Sequence, residues 1–169
     1  MSNIETERKY IVKLPSLELL RGCQGFTESN ITQIYISDTE LTHRVRRREY
    51  ADGRVEYTEN TKRRIDRMSS VESERKISEA EYSALALRIE AGSVPLIKIR
   101  RTVSYRGLVF EFDFYPHWQR SCVMEVELPF AEKEIEMPPF VEVIAEVTGI
   151  KKYSNHSMAH NPVNEQDHL

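Results

Sequence analysis

Two carboxylates and an ammonium stand at alternate positions near the N-terminus, in Glu5-Thr6-Glu7-Arg8-Lys9. If the segment is extended, a period of two sends Glu5, Glu7 and Lys9 to one side of a single strand. Such a face makes a poor core surface. It is well suited to holding a divalent cation beside an anion, because carboxylate oxygens bind hard cations and ammonium or guanidinium groups bind phosphate. The same device recurs along the chain in Arg44 and Arg46, Glu72 and Glu74, Lys98 and Arg100, Glu111 and Asp113, and Glu125 and Glu127.

Alternating charge is usually the mark of a solvated sheet face, and for any single strand that is the better reading. Here, however, the charges are sorted by sign. Some strands carry acid pairs and others basic pairs, and like charges at adjacent same-side positions repel unless a partner lies opposite. Inside a closed sheet, the carboxylates Glu5, Glu7, Glu72, Glu74, Glu111, Asp113, Glu125 and Glu127 would face the bases Lys9, Arg44, Arg46, Lys62, Lys98 and Arg100. The carboxylates outnumber the bases by two, so one or two Mg²⁺ or Mn²⁺ ions would turn the cavity into a site for a polyphosphate.

The elements that would position these groups are mostly strands. Period-two patterning places them at 3–13, 30–37, 41–50, 54–63, 69–77, 94–104, 107–116 and 121–129, with Ala51-Asp52-Gly53 as a hairpin turn. Ser16 caps a short helix that ends near Gly22, and Ser78 with Glu81 forms a capping box for a helix running to about Gly92. Pro138-Pro139 is expected to open a last helix through Val141, Ile144, Ala145 and Thr148, stopped by Gly149. Short links between successive strands imply antiparallel neighbours, and eight strands can close around a small ligand. The expected fold is α+β: a closed eight-stranded antiparallel β-barrel, or tunnel, with helices packed outside on apolar faces such as that of Phe110, Phe112 and Phe114.

A chain of 169 residues is read as one domain. With 24 basic and 27 acidic residues its formal charge is −3, which argues against general affinity for nucleic acid or anionic membrane, so any anion site must be local. Cys23 and Cys122 read as free thiols of a reducing compartment. No signal peptide is evident, and no apolar run approaches the roughly 18–20 residues of a membrane span, so a soluble, cytoplasmic protein is expected.

Glu5-x-Glu7-x-Lys9, Gln33-x-Tyr35, Arg44-x-Arg46, Lys62, Glu72-x-Glu74, Lys98-x-Arg100, Glu111-x-Asp113, Glu125-x-Glu127 and a closing Thr148-Gly149 with Tyr153-Ser154-Asn155 together resemble the CYTH domain of the triphosphate tunnel metalloenzyme superfamily. The series spans nearly the whole chain, in order. One departure is Ser70, where the family often carries a basic residue two places before the acidic pair. The resemblance implies a tunnel over residues 1–155; the polar composition of the remaining tail, 156–169, leaves it only partly ordered beyond His160. The resemblance also implies metal-dependent hydrolysis of a triphosphate phosphoanhydride, with inorganic triphosphate giving pyrophosphate and phosphate.

By the same resemblance, Glu5, Glu7, Glu125, Glu127 and Asp113 hold or lie beside one or two ions. Lys9, Arg44, Arg46, Lys62, Lys98 and Arg100 grip the triphosphate. Glu72, Glu74, Asp113 and Lys9 are the candidate catalytic groups, and the choice of general base among the acids stays open. A class IV adenylyl cyclase, a thiamine triphosphatase and a nucleoside triphosphatase are the alternatives within enzymes, and a non-catalytic polyphosphate-binding module is the alternative outside them. The expected partner is a small triphosphate, with monomer or homodimer left open.

Three features fall outside this scheme. His156 and His160 have the spacing of metal ligands on a helix, but no third ligand is evident near them. Lys151, Lys152 and Tyr153 form either a lid or a surface turn. Trp118 is read as cover for the barrel rim in preference to a stacking surface for a base.

Overall fold

The computed structural model describes residues 2–38 and 40–169. Nine strands form the sheet: β1 (Ser2–Lys13), β2 (Thr27–Ile36), β3 (Thr42–Tyr50), β4 (Val55–Arg64), β5 (Ser69–Lys76), β6 (Leu96–Tyr105), β7 (Leu108–Phe114), β8 (Ser121–Glu127) and β9 (Val143–Glu146). Their order is β5-β4-β3-β2-β6-β7-β8-β1-β9, and a further pairing of β5 with β1 closes the first eight into an antiparallel barrel. β1 performs the closure by dividing its edges. Residues 7–13 pair with β8, while residues 2–6 pair with β5.

The register explains why one face of the barrel is charged. Residues directly opposite each other in a ladder share a face. Lys9 stands opposite Glu125, Glu111 opposite Glu125, Arg100 opposite Asp113, Gln33 opposite Arg46, Tyr35 opposite Arg44, and Lys62 opposite Glu72. Every charged pair picked out by its alternation therefore points inward.

Part of the outward face, chiefly on β1, β6, β7 and β8, is apolar and covered. Tyr10, Val12, Val103, Phe110, Phe112, Met124 and Val126 form a buried cluster against Leu20 of α1 (Leu17–Arg21) and the segment holding Ile135, Met137, Phe140 and Val141. Burying each such large side chain contributes about 1.5–3 kcal/mol. A separate cluster of Ile34, Ile36 and Val45 is covered by Tyr82, Leu85 and Ala86 of α2 (Glu79–Ala86).

The capping box is formed as expected: Glu81 N donates to Ser78 Oγ at 3.2 Å, and Ser78 N donates to Glu81 Oε2 at 2.8 Å. The helix nevertheless stops at Ala86, short of the expected Gly92. Ile89 is drawn into a bridge with Ile36, and Glu90 N donates to Tyr35 O at 2.8 Å, so pairing with β2 overrides helical continuation.

The helix expected over 139–148 is absent, and Val143–Glu146 is strand β9 instead. Val141, Val143, Ile144, Val147 and Thr148 are β-branched and favour extended backbone. β5 leaves the edge of β1 free beyond residue 6, and β9 pairs there with Tyr10, Ile11 and Val12. An open edge beside a β-branched run decides for strand.

The C-terminal residues pack against the barrel. Helix α3 (Asn155–His160) buries Met158 and Ala159, and Val163 is buried with them against Ile11, Tyr35, Leu96, Trp118 and Val123. Glu165 is buried and accepts hydrogen bonds from the backbone N–H groups of Gln119, Arg120 and Ser121 and from Ser121 Oγ, at 2.7 to 3.0 Å. Burial alone would raise its pKa, but these donors hold it down at about 2. Trp118 belongs to this packing, donating through Nε1 to Val163 O at 2.9 Å. Among the described residues no helix is long and apolar enough to cross a membrane, and both cysteines are free.

Candidate functional site

A cavity of about 520 Å³ fills the charged end of the barrel. Its wall carries seven carboxylates (Glu5, Glu7, Glu72, Glu74, Glu111, Glu125 and Glu127) and seven Lys or Arg side chains (Lys9, Arg44, Arg46, Lys62, Arg64, Arg100 and Lys151). The formal balance is therefore even before any cation binds. The barrel's other end is plugged by apolar inward residues and the C-terminal segment.

One side of the wall is an interlocked ion-pair network. Lys9 Nζ lies 2.7 Å from Glu125 Oε1, and Arg100 Nη2 lies 2.9 Å from Glu125 Oε2, while Arg100 Nη1 also donates to Glu111. Burial opposes charge on Lys9, but Glu125 and Glu7 outweigh it and raise its pKa. Glu125 in turn is held well below the usual carboxylate range: burial pushes it up, and Lys9, Arg100 and Lys98 more than reverse that. Both groups are locked in their charged forms.

Across the cavity, Glu72 accepts from Asn60 Nδ2 at 3.0 Å and lies 2.5 Å from Lys62 Nζ. Arg44 and Arg46 are less well matched, with their nearest carboxylates, Glu72 and Glu74, each 3.9 Å away. The Nε groups of both arginines are buried without a hydrogen-bond partner. Burial, together with the like charges of Arg44 and Arg100, pulls the pKa of Arg46 down. Two guanidinium donors left over in a charged cavity are the signature of an anion site.

The third region is acidic. Glu7 stands opposite Glu127 on the paired strands, and among the described residues neither Glu5 nor Glu127 makes an ion pair within 4.0 Å. Glu7 reaches only Lys9, at 4.0 Å. Burial, then the charges of Glu72 and Glu127, push Glu5 up to about 7 against the pull of Lys62. These oxygen donors line one part of the cavity with too little countercharge; they are not all within 4.8 Å of one another, so a hard divalent cation would have to draw them together. Glu5, Glu7 and Glu127 are the residues that could hold a divalent cation here, with Glu125 adjacent but paired to Lys9 and Arg100.

Twelve of the fourteen anticipated residues line this cavity; Lys98 and Asp113 do not. Their side chains are 1% and 0% exposed, behind the wall. Lys98 Nζ donates to Asp113 Oδ2 at 2.5 Å, and Arg100 donates to Asp113 through Nε and Nη2, each at 2.7 Å. Burial lowers Lys98 to about 8 despite Asp113, and Asp113 is itself lowered, so the pair is ionised at neutral pH. Asp113, expected beside a metal, thus contacts Lys98 and Arg100, and Lys98, expected on a phosphate, contacts Asp113 and Asn155 Oδ1, the latter at 3.4 Å. These two positions lie deeper along their strands, where Ile31 and the apolar plug begin.

Further residues complete the wall. Arg64 follows Lys62 by two and shares its face, a signal present in the alternation. Lys151 lines the cavity while Tyr153 is buried in the core, so the expected lid divides between the two roles. Ser154, Asn155, His156 and Ser157 enter only because the C-terminal segment folds back into the barrel.

Solved structures share this arrangement of strands. A crystal structure of NE1496, described as a hypothetical protein, matches with a TM-score of 0.56 at 26% identity, over 93% of this chain and 98% of that one. The shared fold is a closed antiparallel tunnel, as the CYTH resemblance implies. A second crystal structure, described as the inorganic triphosphatase NE1496, gives a TM-score of 0.56 at 24% identity over 95% and 96% of the two chains. PH1819 protein from Pyrococcus horikoshii OT3 gives 0.53 at 19% identity over 74% and 80%. No protein-family profile and no curated protein matches the chain. The tunnel of this chain is thus seen in proteins whose sequences have diverged widely from it.

Proposed function

We propose that the protein is a divalent-metal-dependent triphosphatase that cleaves a phosphoanhydride bond of inorganic triphosphate. The observation that carries this reading is the pair of buried, unpartnered guanidinium Nε groups of Arg44 and Arg46 across the tunnel from the under-neutralised carboxylates Glu5, Glu7 and Glu127. One half of the tunnel calls for a polyanion and the other for a cation. The description of NE1496 as an inorganic triphosphatase supports the same reading.

The chemistry asks mainly for positioning and charge neutralisation, because phosphoryl transfer needs little covalent help from the protein. Arg44 and Arg46 offer planar forks to non-bridging phosphate oxygens, and Lys9, Lys62 and Arg100 supply charge where the leaving phosphate develops its own. A bound Mg²⁺ or Mn²⁺ would polarise phosphate oxygens and acidify a water. Glu72 and Glu74 lie on the wall where either could accept a proton, Glu72 tied to Lys62 and Asn60 and Glu74 half-exposed beside Arg46. Asp113 acts by holding Arg100. Tyr35 and His156 are the aromatic rings on a wall otherwise of charged and small polar groups, which offers a nucleobase little to stack on and favours a substrate that is nearly all phosphate.

The test is phosphate and pyrophosphate release from inorganic triphosphate, ATP and thiamine triphosphate, in parallel, with Mg²⁺, Mn²⁺ or EDTA. Metal-dependent cleavage of inorganic triphosphate ahead of the others, lost in Glu7→Gln with the fold intact, is the expected result. Conversion of ATP to cyclic AMP and pyrophosphate would replace this reading with a cyclase. Tight triphosphate binding without turnover of any substrate would replace it with a binding module.

A further inference from the structure

His156 and His160 acquire a third partner in the folded chain. His156 Nε2 lies 2.7 Å and His160 Nε2 3.1 Å from Glu90 Oε2. These are the one set of three His, Cys, Asp or Glu side chains among the described residues whose donor atoms all fall within 4.8 Å of one another. We propose that Glu90, His156 and His160 form a metal site of their own beside the tunnel, taking a borderline divalent cation of the Zn²⁺ class.

The distances are close to what such an ion needs. Bonds of about 2.0–2.2 Å in a tetrahedron place ligand atoms roughly 3.3–3.5 Å apart, so the two imidazoles need to open from Glu90 by only some tenths of an ångström. The frame is held before any ion arrives. Glu90 N donates to Tyr35 O at 2.8 Å, and Val94 N donates to Ala159 O at 2.9 Å, tying the Glu90 segment to β2 and to α3. Ser154 caps α3 through Ser157 N, and Met158 and Ala159 are buried beneath it. The His156 ring packs edge-on to Tyr35 with centroids 5.0 Å apart.

Donor chemistry separates this site from the tunnel. Two imidazoles and one carboxylate suit Zn²⁺, Co²⁺ or Ni²⁺, whereas the all-oxygen set of Glu5, Glu7 and Glu127 suits Mg²⁺ or Mn²⁺. A fourth position is left for water or a small ligand in the 260 Å³ recess that Glu90 and His156 border together with Asp38, Glu40 and His43. His156 lines both that recess and the tunnel, so an ion bound here pins a tunnel-wall side chain and joins α3 to the segment before β6. The plain alternative is a hydrogen-bonded His-carboxylate-His cluster that never takes metal. It requires a proton on both Nε2 atoms, whereas ligation through them moves the proton of each ring to Nδ1.

Co²⁺ and Zn²⁺ added to the full-length protein in excess Mg²⁺ distinguish the two, and the outcome does not depend on the triphosphatase reading. The expected result is a visible d–d band of four-coordinate Co²⁺, displaced by Zn²⁺, together with a tautomer change at His156 and His160 in ¹⁵N NMR of the wild-type protein. The band should persist in Glu7→Gln. It should vanish in His160→Asn and Glu90→Gln, with Zn²⁺ affinity falling more than about 100-fold, beyond the usual effect of losing an outer-sphere partner. A band lost in Glu7→Gln but kept in His160→Asn, Zn²⁺ binding without change in the two imidazoles, or no Zn²⁺ binding at all would each overturn the proposal. Triphosphate turnover of the same variants reports on the tunnel separately.

Discussion

Replacing Asp113 by Asn tests whether the buried network behind the tunnel wall is held together by charge. Asp113 is fully buried and accepts from Lys98 Nζ at 2.5 Å and from Arg100 Nε and Nη2 at 2.7 Å each. Its two cations would be affected unequally. Arg100 keeps Glu111 and Glu125, while Lys98, 1% exposed, keeps the side-chain oxygen of Asn155 at 3.4 Å as its one hydrogen-bond partner and the more distant charge of Glu125. An uncompensated buried charge costs about 3–5 kcal/mol when its partner is removed. Unfolding entropy of roughly 2.1 cal/mol/K per residue converts that, for a domain of this size, into a loss of about 8–14 °C in Tm.

The assay is thermal and urea unfolding at neutral pH, with the pair Lys98→Met and Asp113→Asn beside each single change. If the orphaned ammonium is the cause, the double variant recovers most of the loss, because replacing both members of a buried pair is often near neutral. A single Asp113→Asn that costs less than about 1 kcal/mol, or a double variant whose cost is the sum of the singles, would refute the reasoning.

Arg46→Met is expected to move stability and binding in opposite directions. It relieves the crowding of buried like charges, so the ligand-free Tm rises, while the lost charge-assisted hydrogen bond of about 1.5–3 kcal/mol weakens triphosphate binding roughly 10–100-fold by calorimetry. Glu165, held at about 2, binds its proton less readily folded than unfolded; its contribution is therefore full above the ordinary carboxylate pKa near 4.5 and lost as pH falls toward 2. Glu165→Gln should flatten the acid limb of a stability–pH curve over that window, and Glu165→Ala should cost about 2–4 kcal/mol at neutral pH and unprotect the Ser121 amide in hydrogen exchange.

The alternation of charged residues was enough to read the inward face of the barrel, because in a closed antiparallel sheet the face of every residue follows from a period of two and the register. That logic depends on the length of the pattern. It succeeded over β1, β3, β6 and β8, where charged residues recur at alternate positions, and it failed at Val143–Glu146, where Pro138-Pro139 and scattered apolar positions imitate a helix. The deciding fact there is the unpaired edge of β1, which no local pattern announces. Likewise, alternation tells which side Lys98 and Asp113 face but not how deep they sit; that is set by where the C-terminal segment enters the barrel.

The same segment accounts for what the sequence hid about the site. Asn155, His156 and Ser157 reach the tunnel, and Glu90 meets His156 and His160, only through contacts between residues forty to seventy positions apart. A polar stretch of 14 residues looks like a solvated tail because its few apolar anchors, Met158, Ala159 and Val163, are sparse and lack strand or long-helix period. What holds it is specific: an acid, Glu165, matched to three backbone donors at the start of β8 and an indole N–H matched to a carbonyl. Such polar matching leaves little hydrophobic pattern to read, yet it fixes the plug that separates the charged cavity from the apolar end of the barrel. The chemistry of the tunnel is therefore written in its strands, and its depth is set by a segment whose composition gives no sign of it.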